Sequence, residues 1–179
     1  MDLLVDIILF CVVGFMVVGL VTHRRLERRW DVADWAQLMD WARGYQSRGR
    51  LSLAERCLTH AIGRAATFHA DDPRRAESYA ALGALYFADA DWERAESLMA
   101  KAVVARRRAL GEYHEQVARD LKDLGEIWTH RGDLDEARRH YHLALAAIER
   151  SESQNAELVE AIEGAMAELE PAERGEGES

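Results

Sequence analysis

Three stretches of this chain answer one another at intervals of 41 and 42 residues, beginning at positions 38, 79 and 121. They read Leu38-Met39-Asp40-Trp41-Ala42-Arg43-Gly44-Tyr45, Tyr79-Ala80-Ala81-Leu82-Gly83-Ala84-Leu85-Tyr86 and Leu121-Lys122-Asp123-Leu124-Gly125-Glu126-Ile127-Trp128. Each is followed at the same interval by a turn: Gly49-Arg50-Leu51, Ala90-Asp91-Trp92 and Gly132-Asp133-Leu134. A second set then recurs: Ala54, Ala95 and Ala137, next Leu58, Met99 and Tyr141, last Ala61, Ala102 and Ala144. Such a period marks a stacked-repeat fold. One unit cannot bury its apolar face alone, and its neighbours must cover it.

Inside each unit the spacing is helical. Ala54, Cys57, Leu58 and Ala61 follow the i, i+3, i+4, i+7 stripe of an amphipathic helix. Ala42, Gly83 and Gly125 fall where the first helix of a unit meets the second, and Ala54, Ala95 and Ala137 face them. Small side chains there let two helices approach to about 8–10 Å. The larger Trp41, Tyr45, Leu82, Tyr86, Leu124, Trp128 and Tyr141 fill the space between. With 2 Pro and 12 Gly in 179 residues, little interrupts long helices. No alternating β-branched run follows position 21, so the expectation is an all-α chain.

These residues resemble the tetratricopeptide repeat (TPR): an aromatic or Leu, Leu-Gly/Ala, Tyr, a Gly turn, Ala, an aromatic and Ala. Three in-phase units span residues 34–150, at about 34–70, 73–110 and 114–150. Their period exceeds the usual one of about 34 residues. It is similar to the kinesin-light-chain subtype, whose second helix is extended, and Ala105–His114 resembles that subtype's linker. After the third unit, Leu158, Val159, Ile162, Ala165, Met166 and Leu169 form one helix face and Glu157, Glu160, Glu163 and Glu168 the other. This predicts a capping helix over 153–170, followed by a disordered acidic tail over 171–179.

The opening residues predict something different. Ile7–Val21 is uninterrupted apolar sequence, and from Leu3 the stretch is nineteen residues with one charge, Asp6. As helix it would rise about 29 Å, against a hydrocarbon core of about 30 Å. Residues 1–22 thus read as a transmembrane signal anchor and 23–33 as a basic juxtamembrane linker. Asp6 is either interfacial or a polar contact to another helix. The acidic Asp2 and the lack of a small-residue cleavage site argue against a removable signal peptide. Arg24, Arg25, Arg28 and Arg29 follow the span and no base precedes it. That predicts an inner-membrane, single-pass chain with its N-terminus out and its repeats in the cytoplasm. The whole expected fold is an N-terminal transmembrane helix, an α-α superhelix (solenoid) of three TPR helix pairs and a C-terminal capping helix.

The chemistry-bearing residues point away from catalysis. His140 and His142 are two apart on a helix and face different ways. Glu112-Tyr113-His114-Glu115 is not a zinc-binding pattern, and no phosphate loop, dinucleotide fingerprint or nucleophile elbow is present. Cys57 reads as an inert core residue. The net charge is −9, and Ser151–Ser179 holds nine Glu and one Arg. An acidic chain without a basic stripe argues against nucleic acid as partner. The chain is expected to be no enzyme and to take no cofactor, metal or small-molecule substrate.

The TPR resemblance implies a protein or peptide partner held on a concave surface lined by the first helix of each unit. Carried over by position, that groove comprises Met39, Arg43 and Gln46, then Glu77, Ala80, Ala84 and Phe87, then Arg119, Lys122, Glu126, Thr129 and His130. The paired Asn of kinesin-light-chain-like repeats are replaced here by Met39-Asp40, Ala80-Ala81 and Lys122-Asp123. What remains is an apolar patch (Ala80, Ala84, Phe87) flanked by Arg43, Arg119 and Lys122. It suits an apolar anchor with an acidic neighbour. The expected function is a membrane-tethered scaffold. The alternative is a structural or assembly subunit of a larger membrane complex, held through its transmembrane helix, with Asp6, Gly14 and Gly19 as the helix-contact residues.

Overall fold

The computed structural model describes residues 33–151, 153 and 155–176. Seven helices occupy them: α1 (Trp35–Gln46), α2 (Leu51–Ala65), α3 (Pro73–Ala88), α4 (Trp92–Leu110), α5 (Glu115–Arg131), α6 (Leu134–Glu149) and α7 (Ala156–Glu176). Packing follows chain order. Helices pair as α1 with α2, α3 with α4 and α5 with α6, each pair leans on the next, and α7 lies on α6 and touches α5. This is an all-helical, TPR-like solenoid.

The repeated turns have one local cause. Gly49, Ala90 and Gly132 adopt φ of +68°, +57° and +82°. This left-handed conformation suits Gly and strains Ala. The next residue's N–H then reaches back to the aromatic of the repeat: Arg50 to Tyr45 O (2.9 Å), Asp91 to Tyr86 O (2.9 Å) and Asp133 to Trp128 O (3.1 Å). Asp91 and Asp133 also cap the helices they open, accepting from the N–H of Arg94 and Glu136. Arg50 makes no side-chain cap.

The small-residue columns point inward. Ala42, Ala54, Ala95 and Ala137 are all buried. A Cβ on Gly83 would stand 2.9 Å from Met99 Sδ, and one on Gly125 only 2.4 Å from Tyr141 Cε1. The core divides in two, the first around Leu38, Leu58 and Leu82, the second around Leu121, Ile127 and Tyr141, and Tyr86 packs against both. α7 closes the second core with Leu158, Ile162 and Leu169.

The expected fold needs a correction. Among the described residues no helix is long and apolar enough to cross a membrane. The described architecture is a seven-helix solenoid without a transmembrane element. Its longest helices show why: α4 carries Glu93, Arg94, Glu96, Lys101 and Arg106–Arg108, and α7 carries Glu157, Glu160, Glu163 and Glu168. Charges at that density are excluded from hydrocarbon. The anchor expected over 1–22, most of the linker over 23–33, and with them the basis for a membrane placement, lie outside the described residues. The last helix also differs in extent from the expected 153–170, running from Ala156 through Pro171 to Glu176. Pro171 supplies no N–H to that helix, and the good helix formers Ala172, Glu173 and Arg174 follow it.

Candidate functional site

The first helices of units two and three, α3 and α5, leave a cavity of about 190 Å³ between them, lined by Gly83, Ala84, Phe87, Met99, Asp123, Glu126 and Ile127. Because Gly83 has no side chain, α3 lies directly on α4 and Met99 reaches the floor. Phe87 is fixed from behind: it meets Trp92 edge-on (centroids 5.3 Å) and His130 edge-on (5.3 Å). Trp92 and His130 stack nearly parallel at 4.7 Å. Such aromatic packing holds a wall in place at little entropic cost.

The opposite wall is acidic. Lys122 Nζ donates to Glu126 Oε1 and lies 3.7 Å from Asp123 Oδ1. Two carboxylates therefore face one ammonium. The Asp123 carboxyl is pushed up to about 6, first by loss of water, while Lys122 pulls it down and Glu126 and Asp120 push it further up. Its side chain nonetheless remains 48% exposed, so this is an open wall rather than a sealed one. A folded-state pKa above the ordinary 3.8 means the folded chain holds this proton more tightly. The group's stabilising contribution is fully present below pH 3.8 and is lost as pH rises through 6. The Asp123 carboxyl carbon should titrate near pH 6 by NMR. Asp123→Asn should flatten the fall in urea midpoint between pH 4 and 6, and a wild-type slope retained in that variant would contradict the assignment.

Other predicted site residues scatter around this hollow. Ala84, Phe87 and Glu126 line it, and Lys122 and His130 adjoin it through Glu126 and Phe87. Ala80 packs against the second core. Thr129 donates to Gly125 O and lies 3.4 Å from the Tyr141 hydroxyl. Arg119 is committed elsewhere, donating to Glu115, which also accepts from Ser153 and Asn155. Those three donors hold the Glu115 carboxyl down at about 2, Ser153 foremost. Arg43 pairs with its neighbour Asp40 at 2.5 Å. Glu77 is exposed, Gln46 is half-buried, and Met39 is withdrawn from any surface, being buried in the first core. Gly83, Met99, Asp123 and Ile127 also line the hollow and are absent from the predicted groove. Gly83, Met99 and Ile127 belong to the repeated small and apolar positions, Asp123 reads only as half of a replaced Asn pair, and Trp92, which backs Phe87, reads only as a turn residue.

A second hollow, of about 560 Å³, lies at the repeat linkers, lined by Tyr113, Glu115, Arg150 and their neighbours. Its polar groups already satisfy one another, with Arg150 donating to the Tyr113 hydroxyl (2.9 Å) and Ser153 to Glu115 (2.6 Å). Among the described residues no group of three His, Cys, Asp or Glu is placed to hold a metal ion.

The helices form a stacked solenoid with a hollow between successive first helices. Residues 82–150 match the tetratricopeptide repeat family. The chain is similar in fold to the nearly identical kinesin-light-chain TPR-like repeats of Podosopora anserina (19% identity, TM-score 0.67, covering 80% of this chain and 68% of that one). It is similar to BtubC (BKLC) from P. vanneervenii (20%, 0.64, 90% and 70%). It also resembles the Yersinia enterocolitica type III secretion translocator chaperone SycD (17%, 0.62, 78% and 93%). No curated protein matches the chain. These likenesses show a TPR-like fold, and the family match places repeat sequence over residues 82–150.

Proposed function

We propose that the chain is a non-enzymatic scaffold that seats a segment of a partner protein against the first-helix face of units two and three. One observation carries the reading. The cavity between α3 and α5 is preformed, because Phe87 is held by Trp92 and His130 and the floor is opened by Gly83. Concave, largely apolar hollows with a few placed polar groups are where ligands bind. Photo-crosslinking tests it. A benzophenone amino acid at Ala84, on the hollow, should trap a partner in cells. The same group at Leu143, an exposed position on α6, should trap none. Products from Leu143 alone would move the binding face to the second helices.

A further inference from the structure

We infer that the hollow between α3 and α5 takes a partner segment with one apolar side chain next to a basic residue, the base being received by Asp123 and Glu126. This rests on the reading above and names the partner's chemistry. It also reverses the polarity that the sequence suggested.

The size of the hollow fixes the anchor. At about 190 Å³ it is smaller than a drug-sized pocket of about 300–1,000 Å³. It is comparable to an apolar cavity of about 150 Å³ that accepts a benzene ring. One leucine, methionine or phenylalanine side chain fills such a space. Met99, Ile127 and Phe87 give it an apolar lining.

Charge fixes the neighbour. The sequence set three cations beside the apolar patch, and the structure neutralises all three. Arg43 pairs with Asp40, Arg119 with Glu115, and Lys122 with Glu126. At the hollow itself Asp123 and Glu126 face the single ammonium of Lys122, so one negative charge is left over. Their side chains are 48% and 35% exposed, within reach of an incoming group. Opposite charges across an interface select partners more than they add affinity. An acidic neighbour would be repelled, and a lysine or arginine is attracted.

Fluorescence polarisation on the full chain, with four short labelled peptides, decides this. The probe is a leucine flanked by two arginines. Its companions replace the leucine by serine, the arginines by glutamates, or both. The arginine–leucine probe should bind at least tenfold more tightly than each companion. Ala84→Trp, which fills the hollow from an exposed position, should weaken it at least tenfold. Asp123→Asn with Glu126→Gln should erase the preference for arginine over glutamate and keep that for leucine over serine. If the glutamate–leucine peptide binds best and Ala84→Trp still blocks it, the scaffold reading stands and this inference fails. If no peptide binds, or Ala84→Trp changes nothing, the inference also fails. Tenfold tighter probe binding by Leu26→Ser would place the chain's own Arg24–Arg29 segment in the hollow and overturn the assignment to a partner.

Discussion

Asp120→Ala should destabilise the folded chain by about 3–5 kcal/mol, the range for removing one member of a buried ion pair. Asp120 is a charged side chain with only 7% of its surface exposed, and its partner Arg106 has 11%. Arg106 Nε donates to Asp120 Oδ2 at 2.6 Å and Nη2 to Oδ1 at 3.3 Å, while Nη1 donates to Gln116 Oε1 at 3.0 Å. This fork joins the far end of α4 to α5, and so unit two to unit three. Burial pushes the Asp120 carboxyl above its ordinary range even with Arg106 pulling it down. Desolvation thus outweighs pairing, and the pair is costly to break without being a large net gain. Two outcomes separate those statements. Arg106→Ala should lose a similar amount in urea denaturation, because it strands the carboxylate. Asp120→Leu with Arg106→Met should regain most of the loss, because no buried charge then lacks a partner. A double variant no better than either single one would contradict the desolvation argument. Total stability of a domain is only about 5–15 kcal/mol. In a one-dimensional stack a weakened interface also uncouples its neighbours, so the single variants should unfold in two steps.

That pair shows where sequence reading stops. The repeat columns were legible because each recurs three times: Ala54, Ala95 and Ala137 are buried, Gly83 and Gly125 sit under Met99 and Tyr141, and the turns at Gly49, Ala90 and Gly132 share one backbone. Asp120 and Arg106 occur once, fourteen residues apart across a linker, and only the stacking of α4 on α5 brings them together. The candidate site was legible in part for the same reason. Ala84, Phe87 and Glu126 followed from their place on the first helices, whereas the Trp92–His130 stack spans two units and has no period. Met39 fell to a rotation error. It lies three residues before Ala42, on the same helical stripe, and both are buried. The paired Arg43 and Arg119 misled because sequence position gives a charge and not its counter-ion.

Gly125→Ala should destabilise by about 1–3 kcal/mol, although alanine is the better helix former by roughly 0.5–1 kcal/mol. The added methyl would stand 2.4, 2.6 and 2.8 Å from Cε1, Cδ1 and Cζ of Tyr141. A ring has no soft end to give way, and this one is 1% exposed in the second core. Its hydroxyl is also near Thr129 Oγ1, which donates to the Gly125 carbonyl, so ring and glycine are located together. Gly83→Ala is the natural control. There the methyl would meet Met99 Sδ at 2.9 Å and Cγ at 3.0 Å. Methionine is unbranched and repacks easily, so the clash and the helix propensity should nearly cancel. The two variants differ in one respect, the stiffness of the facing side chain. Thermal denaturation should place Gly125→Ala well below Gly83→Ala, with amide exchange accelerated first in α6 and α7, which depend on the α5 contact. Tyr141→Leu should recover part of the loss in the Gly125→Ala background, since the shorter side chain leaves room for the methyl. Equal losses at the two glycines would mean that side-chain stiffness does not set the spacing of these helix pairs.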